Sequence, residues 1–64
     1  MDYKIMIRRH AGGRPEYTGC KVPYGDAATI FARGFQAGIR ACSKPYQVIV
    51  MTEGGKVYYE CPQG

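Results

Sequence analysis

Two β-rich runs, residues 46–53 and 56–61, flank Gly54 and Gly55, and strands joined by so short a connection can pair in only a few registers. In a two-residue type I′ loop both glycines adopt positive φ without steric cost, and Glu53 stands opposite Lys56. Thr52 then faces Val57, Met51 faces Tyr58, Val50 faces Tyr59, Ile49 faces Glu60 and Val48 faces Cys61. Side chains alternate along a strand, so Val48, Val50, Val57, Tyr59 and Cys61 share one face. Ile49, Met51 and Tyr58 share the other with charged neighbours. One face can cover a helix; the second is apolar enough to serve as a contact surface.

A chain of 64 residues makes a single domain spanning 1–64, near the lower size at which a hydrophobic core alone sustains a fold. A large active-site cavity would consume that core. Nine Lys and Arg against five Asp and Glu leave a net charge of +4, which favours an acidic partner. The first third holds Lys4, Arg8, Arg9, Arg14 and Lys21, opposed there by Asp2 and Glu16. Cys20, Cys42 and Cys61 are far apart and odd in number, which reads as reduced, mostly buried thiols in a cytoplasmic protein rather than a secreted disulfide framework. The longest apolar stretch, residues 48–51, is far too short for a membrane span, and no signal peptide is read at the start.

Residues 2–10 alternate as a half-buried strand does, with Tyr3, Ile5 and Ile7 on one side and Lys4, Met6 and Arg8 on the other. A turn follows over residues 11–15, then a second strand over 16–22 in which Gly19 marks a bulge. A helix is predicted over 27–42, capped by Asp26 and ended ahead of Pro45. At 100° per residue, Ala27, Ala28, Phe31, Phe35, Gly38, Ile39 and Cys42 centre an apolar arc, widened by Ile30, Gly34, Ala37 and Ala41. The polar remainder is Thr29, Arg33, Gln36, Arg40 and Ser43. Such an arc exceeds what one small sheet covers. Either the sheet approaches closely at Gly34 and Gly38, or Ile30, Gly34, Ala37 and Ala41 face a partner or a second copy of the chain. The expected architecture is α+β, a four-stranded antiparallel sheet with one helix on one face in the order β-β-α-β-β.

Catalysis needs converging groups, and these are scarce. His10 is the single histidine and sits beside a turn; Asp26 serves as a cap, Glu53 pairs with Lys56, and Asp2 and Glu60 lie near strand ends. Neither glycine cluster leads into a helix, as a phosphate loop must. The expectation is a protein that is not an enzyme and takes no cofactor and no metal. The leading contact set is Lys4, Arg8, Arg9 and Arg14 from the first hairpin with Met51, Lys56 and Tyr58 from the second. A secondary ribbon of Arg33, Gln36 and Arg40 points one way along the helix, at spacings of three and four. An apolar centre with a basic rim suits single-stranded nucleic acid, where bases stack and cations meet phosphate, and equally a protein hot spot.

The opening residues 2–8, the strand containing Gly19, the alanine-rich helix 27–41 and the closing hairpin 48–59 together resemble, in layout, small proteins of bacteriophages and mobile elements, some of them anti-CRISPR proteins. The resemblance implies a non-enzymatic inhibitor that binds a host protein or ribonucleoprotein complex in the host cytoplasm and obstructs its target site. Many anti-CRISPR proteins are acidic mimics of DNA; the basic balance here departs from that, and points instead to contact with guide RNA or an acidic protein patch. The alternatives are a small basic protein that binds single-stranded or duplex nucleic acid directly, and a homodimerising accessory module with no membrane association.

Overall fold

The computed structural model describes residues 2–10 and 12–62. Ala11, within the expected turn, and Gln63 and Gly64, past the closing hairpin, lie outside them. The elements are β1 (Tyr3–Arg8), β2 (Glu16–Val22), α1 (Gly25–Ala41), β3 (Gln47–Thr52) and β4 (Val57–Glu60). The strands form one antiparallel sheet in the order β2-β1-β3-β4, with α1 against one face. This is the α+β arrangement expected from the sequence.

β1 and β3 form the centre, paired without a break from Tyr3↔Thr52 to Arg8↔Gln47. Their alternation sends Ile5, Val48 and Val50 to the helix side, where they are buried with Ala28, Ala32, Ile39 and Cys61. Tyr3, Ile7, Cys20, Val22, Phe35, Tyr46 and Tyr59 pack around that cluster. Lys4 faces Lys21 and Met6 faces Tyr17, so Ile5 alone opposes Thr18, Gly19 and Cys20. The irregularity falls at Gly19, as expected, and its φ of 89° suits a residue without a Cβ. Thr18 Oγ1 donates to the Ile5 carbonyl at 2.8 Å, giving that oxygen a partner where the pairing is irregular.

The β3–β4 hairpin departs from the expected turn. Ile49↔Glu60 and Val50↔Tyr59 pair as expected, but Met51 pairs with Val57. The Thr52 amide donates to the Lys56 carbonyl at 2.8 Å, and the Gly55 amide to the Thr52 carbonyl at 3.0 Å. The loop is therefore Glu53, Gly54 and Gly55, and Gly55, at φ 88°, takes the left-handed position of a three-residue connection. Glu53 does not stand opposite Lys56. The shift in register leaves Tyr58 as an extra residue between Val57 and Tyr59. Val57, opposite Met51, is thereby turned away from the helix, and Tyr58 toward it, the reverse of the expected alternation.

The helix begins two residues earlier than expected, with Tyr24 at its N-cap and no side-chain capping bond. Asp26 therefore lies in the first turn, complementing the dipole instead of capping. At the other end, Ser43 N donates to the Arg40 carbonyl at 2.9 Å and Lys44 N to the Ile39 carbonyl at 3.2 Å. That is a Schellman ending, with Ser43 at φ 58° where glycine is usual.

The buried side of α1 is Ala28, Ala32, Gln36 and Ile39, with Phe35 half-buried. It is rotated from the expected arc: Ala27, Phe31, Gly38 and Cys42 are exposed. Gln36, expected on the polar ribbon, is the correction with the clearest cause. Its Oε1 accepts from the Val48 amide at 2.7 Å, and its Nε2 donates to the Tyr46 carbonyl at 2.9 Å. Nearby, Gln47 Nε2 donates to the Cys61 carbonyl at 2.7 Å, and the Cys61 amide donates to the Val48 carbonyl at 3.0 Å. Two buried glutamines thus complete the hydrogen bonding where β3 begins and the chain leaves β4. Alanines at 28 and 32, with no atom beyond Cβ, let the helix come close enough for Gln36 to reach. The sheet does not make its approach at Gly34 or Gly38, where an added Cβ would meet nothing within 4 Å.

Candidate functional site

Away from the helix, the register gathers Lys4, Met6 and Arg8 from β1 with Tyr17 and Lys21 from β2. Ile49, Met51, Val57 and Glu60 complete this face from β3 and β4. Ile49 lies between Met6 and Glu60 and is fully buried although no helix covers it. Long side chains can shield such a residue by laying their stems along the sheet. Around that seat the face is apolar at Met51 and Val57 and cationic at Lys4, Lys21 and Arg8.

Two features of the face are costly in isolation. Lys4 and Lys21 are direct cross-strand neighbours, and like charges so placed destabilise a sheet. Lys4 Nζ lies 5.6 Å from the centre of the Tyr17 ring, within reach of a cation–π attraction that offsets part of that cost. Arg8 Nε is shut away from solvent without a hydrogen-bond partner among the described residues. A buried donor in that condition costs about 1–3 kcal/mol, and an acceptor brought by a partner relieves it.

Of the expected contact set, Lys4, Arg8 and Met51 do come together on this face. Arg9 Nε instead pairs with Glu16 at 2.7 Å, an exposed ion pair that neutralises it locally. Arg14 is exposed in the connection between β1 and β2. Lys56 stands opposite Thr52 at the hairpin mouth, one step before Val57, so alternation turns it off the face. Tyr58 is displaced to the helix side by the bulge. Tyr17, Lys21 and Val57 are the members that sequence reasoning missed. Tyr17 and Lys21 follow only once the pairing of β2 is known, whereas the Gly54-Gly55 sequence was equally compatible with the three-residue loop that places Val57.

The helix ribbon is divided. Arg33 and Arg40 are exposed and, with Gln36, Ala37, Tyr59, Cys61 and Pro62, line a groove of about 310 Å³ beside β4. Arg40 Nη2 donates to the Pro62 carbonyl at 2.7 Å. Gln36 belongs to the core and is not available to a partner as part of a ribbon. Cys61 Sγ donates to the Ala32 carbonyl at 3.4 Å. Burial pushes the Cys61 thiol above its usual range, while Arg40 and Arg33 pull it the other way without cancelling the effect. Cys42, expected on the buried side, is exposed beyond the helix end because the buried face is rotated. The expected dimer face, Ile30, Gly34, Ala37 and Ala41, is exposed in full, with Ile30 69% accessible.

A second depression, shallow and open to solvent, of about 320 Å³, lies where α1 begins and is lined by Tyr3, Pro23, Tyr24, Gly25, Asp26 and Tyr58. Tyr3 and Tyr58 pack there with ring centres 4.7 Å apart and planes inclined at 54°.

Among the described residues no three His, Cys, Asp or Glu side chains group to hold a metal ion, and no helix is long and apolar enough to cross a membrane. Compared with family models, with curated proteins and with solved structures, the chain matches none.

Proposed function

We propose that this chain is a non-enzymatic binding protein whose sheet face, centred on Lys4, Met6, Arg8, Tyr17, Lys21 and Met51, meets the acidic surface of a host nucleoprotein complex and blocks its nucleic-acid site. The observation that carries this reading is the Lys4–Lys21 pair beside exposed Tyr17 and half-buried Met51, on a face that no other element among the described residues covers. Like charges held side by side are stabilised by an anionic partner, and the neighbouring apolar and aromatic surface supplies contact area. The inhibitor role rests on the resemblance in layout to small phage proteins; the basic balance of the face supports an acidic partner.

Affinity capture from bacterial lysate, with and without nuclease, tests the class of partner. A discrete protein complex retained after nuclease supports the proposal. Recovery of mixed nucleic acid alone, lost on nuclease treatment and falling with salt by roughly one unit of log slope per phosphate neutralised, supports direct nucleic-acid binding instead.

One observation favours a second reading, a homodimer across the helix: Ile30, Gly34, Ala37 and Ala41 form an exposed uncharged strip on which an added Cβ at Gly34 meets open space. Sedimentation at high concentration tests it. A dimer abolished by Gly34→Leu, with the fold intact, supports the reading, and a monomer at every concentration ends it.

A further inference from the structure

We infer that the open depression at the start of α1 is an aromatic corner that takes an alkylated ammonium group, such as a methylated lysine side chain or a free quaternary amine. This site is separate from the sheet face and does not depend on the function proposed for it. Three tyrosines, Tyr3, Tyr24 and Tyr58, line the depression together with Asp26. Tyr3 and Tyr58, in contact and inclined at 54°, form a corner instead of a flat stack. Ring faces are the negative ends of aromatic quadrupoles, so rings set around a cavity favour a cation, and an alkylated one sheds its water at least cost.

Three independent features of the chain build this corner. The β4 bulge turns Tyr58 to the helix side, next to Tyr3. Gly25 leaves the space that Tyr58 occupies: a Cβ there would lie 2.5 Å from the Tyr58 hydroxyl. Tyr24 holds the N-cap position without spending its side chain on a capping bond, and the residue lines the site. Bulges commonly re-aim a side chain at a functional site, and here the re-aimed group is the ring that closes the corner.

Charge favours a cation as well. The chain carries five acidic residues, and Asp2, Asp26 and Glu53 collect at this end of the molecule. Asp2 N donates to Glu53 Oε1 at 3.4 Å, holding that carboxylate beside the residue preceding Tyr3. Asp26 in the first helical turn offsets the positive end of the helix dipole, which would otherwise oppose a cation. Lys4, next to Tyr3, and Lys21, two residues before Pro23, are among the cations nearest in sequence, and strand alternation turns both to the opposite face of the sheet.

The test is an NMR titration of the intact chain with choline, with N-acetyl-trimethyllysine methylamide, and with 3,3-dimethylbutanol, the neutral isostere of choline. The expected result is saturable shifts at Tyr3, Tyr24, Gly25 and Tyr58 with both cations, and binding of the isostere about tenfold weaker or less. Stronger binding of the lysine derivative identifies a peptide-borne group, and stronger binding of choline a free amine. Tyr24→Ala should weaken binding about two- to thirtyfold, with Tyr24→Phe restoring it. Tyr24 is 72% exposed, so this change leaves the fold intact. Gly25→Ala, by displacing Tyr58, should weaken binding as well. Equal binding of the isostere, an absence of saturable shifts, or shifts at these residues with inorganic phosphate instead would overturn the inference.

Discussion

Replacing Gln36 by methionine keeps most of the side-chain volume but removes both amide groups, leaving the Val48 N–H and the Tyr46 carbonyl without their partner. Gln36 is 5% exposed, so water does not readily take its place. Each buried polar group left unmade costs about 1–3 kcal/mol, giving roughly 2–6 kcal/mol for the two. A 64-residue domain at about 0.05–0.15 kcal/mol per residue has roughly 3–10 kcal/mol in total, so this one substitution should remove a large share of the stability. With a urea dependence of about 1 kcal/mol per molar, the unfolding midpoint should fall by about 2 M or more. Arg33→Ala, on the exposed side of the same helix, should change stability by no more than about 0.5 kcal/mol. If Gln36→Met and Arg33→Ala have the same small effect, Gln36 is not tying the helix to β3, and the account of how the helix is oriented is wrong.

The hairpin loop is tested by two alanines: Gly55→Ala should cost about 1–2 kcal/mol because of its φ of 88°, whereas Gly54→Ala should be nearly neutral, and equal losses in chemical denaturation would restore the two-residue turn. Ser43→Gly should stabilise the chain by about 1 kcal/mol and raise Tm by about 4–8 °C in calorimetry, since it removes left-handed strain at a Schellman position. Thiol labelling under native conditions should modify Cys42 first and Cys61 last, because Cys42 is exposed and Cys61 is buried with a raised pKa. The same shift has a pH signature. The unfolded chain loses the Cys61 proton near the ordinary thiol value of about 8.5, the folded chain only at higher pH, so Cys61 stability is full below that value and declines as pH rises through the window. Subtracting the pH profile of Cys61→Ala should isolate that decline.

The sheet and the single helix were legible because strand alternation and the Pro45 boundary are local signals. Tyr3, Ile5 and Ile7 did turn to the helix, and Val48, Val50, Tyr59 and Cys61 joined them. What was not legible depended on backbone hydrogen bonding. Apolar periodicity along α1 spans more of the helix than the sheet can cover, so it could not select the buried side. The selection came from Gln36, a polar residue whose value lies in satisfying β3. In the hairpin, adjacent glycines suit a two-residue loop and a three-residue loop alike. The difference of one residue moved Tyr58 from the expected contact face into a depression with Tyr3, and sent Val57 the other way. Lys4, Arg8 and Met51 survived as a cluster because they belong to the unbroken β1–β3 ladder. Tyr17 and Lys21 were hidden because the irregularity at Gly19 sets which β2 residues face Met6 and Lys4.

The sheet face is the central functional claim, and it is tested most directly by repeating the nuclease-treated capture with Lys4→Gln/Lys21→Gln alongside the unaltered chain and Ile30→Lys. The account predicts that the captured complex is lost with the double lysine variant and kept with Ile30→Lys, both variants remaining folded. Retention by the lysine variant together with loss by Ile30→Lys would contradict it and move the contact surface to the exposed side of the helix.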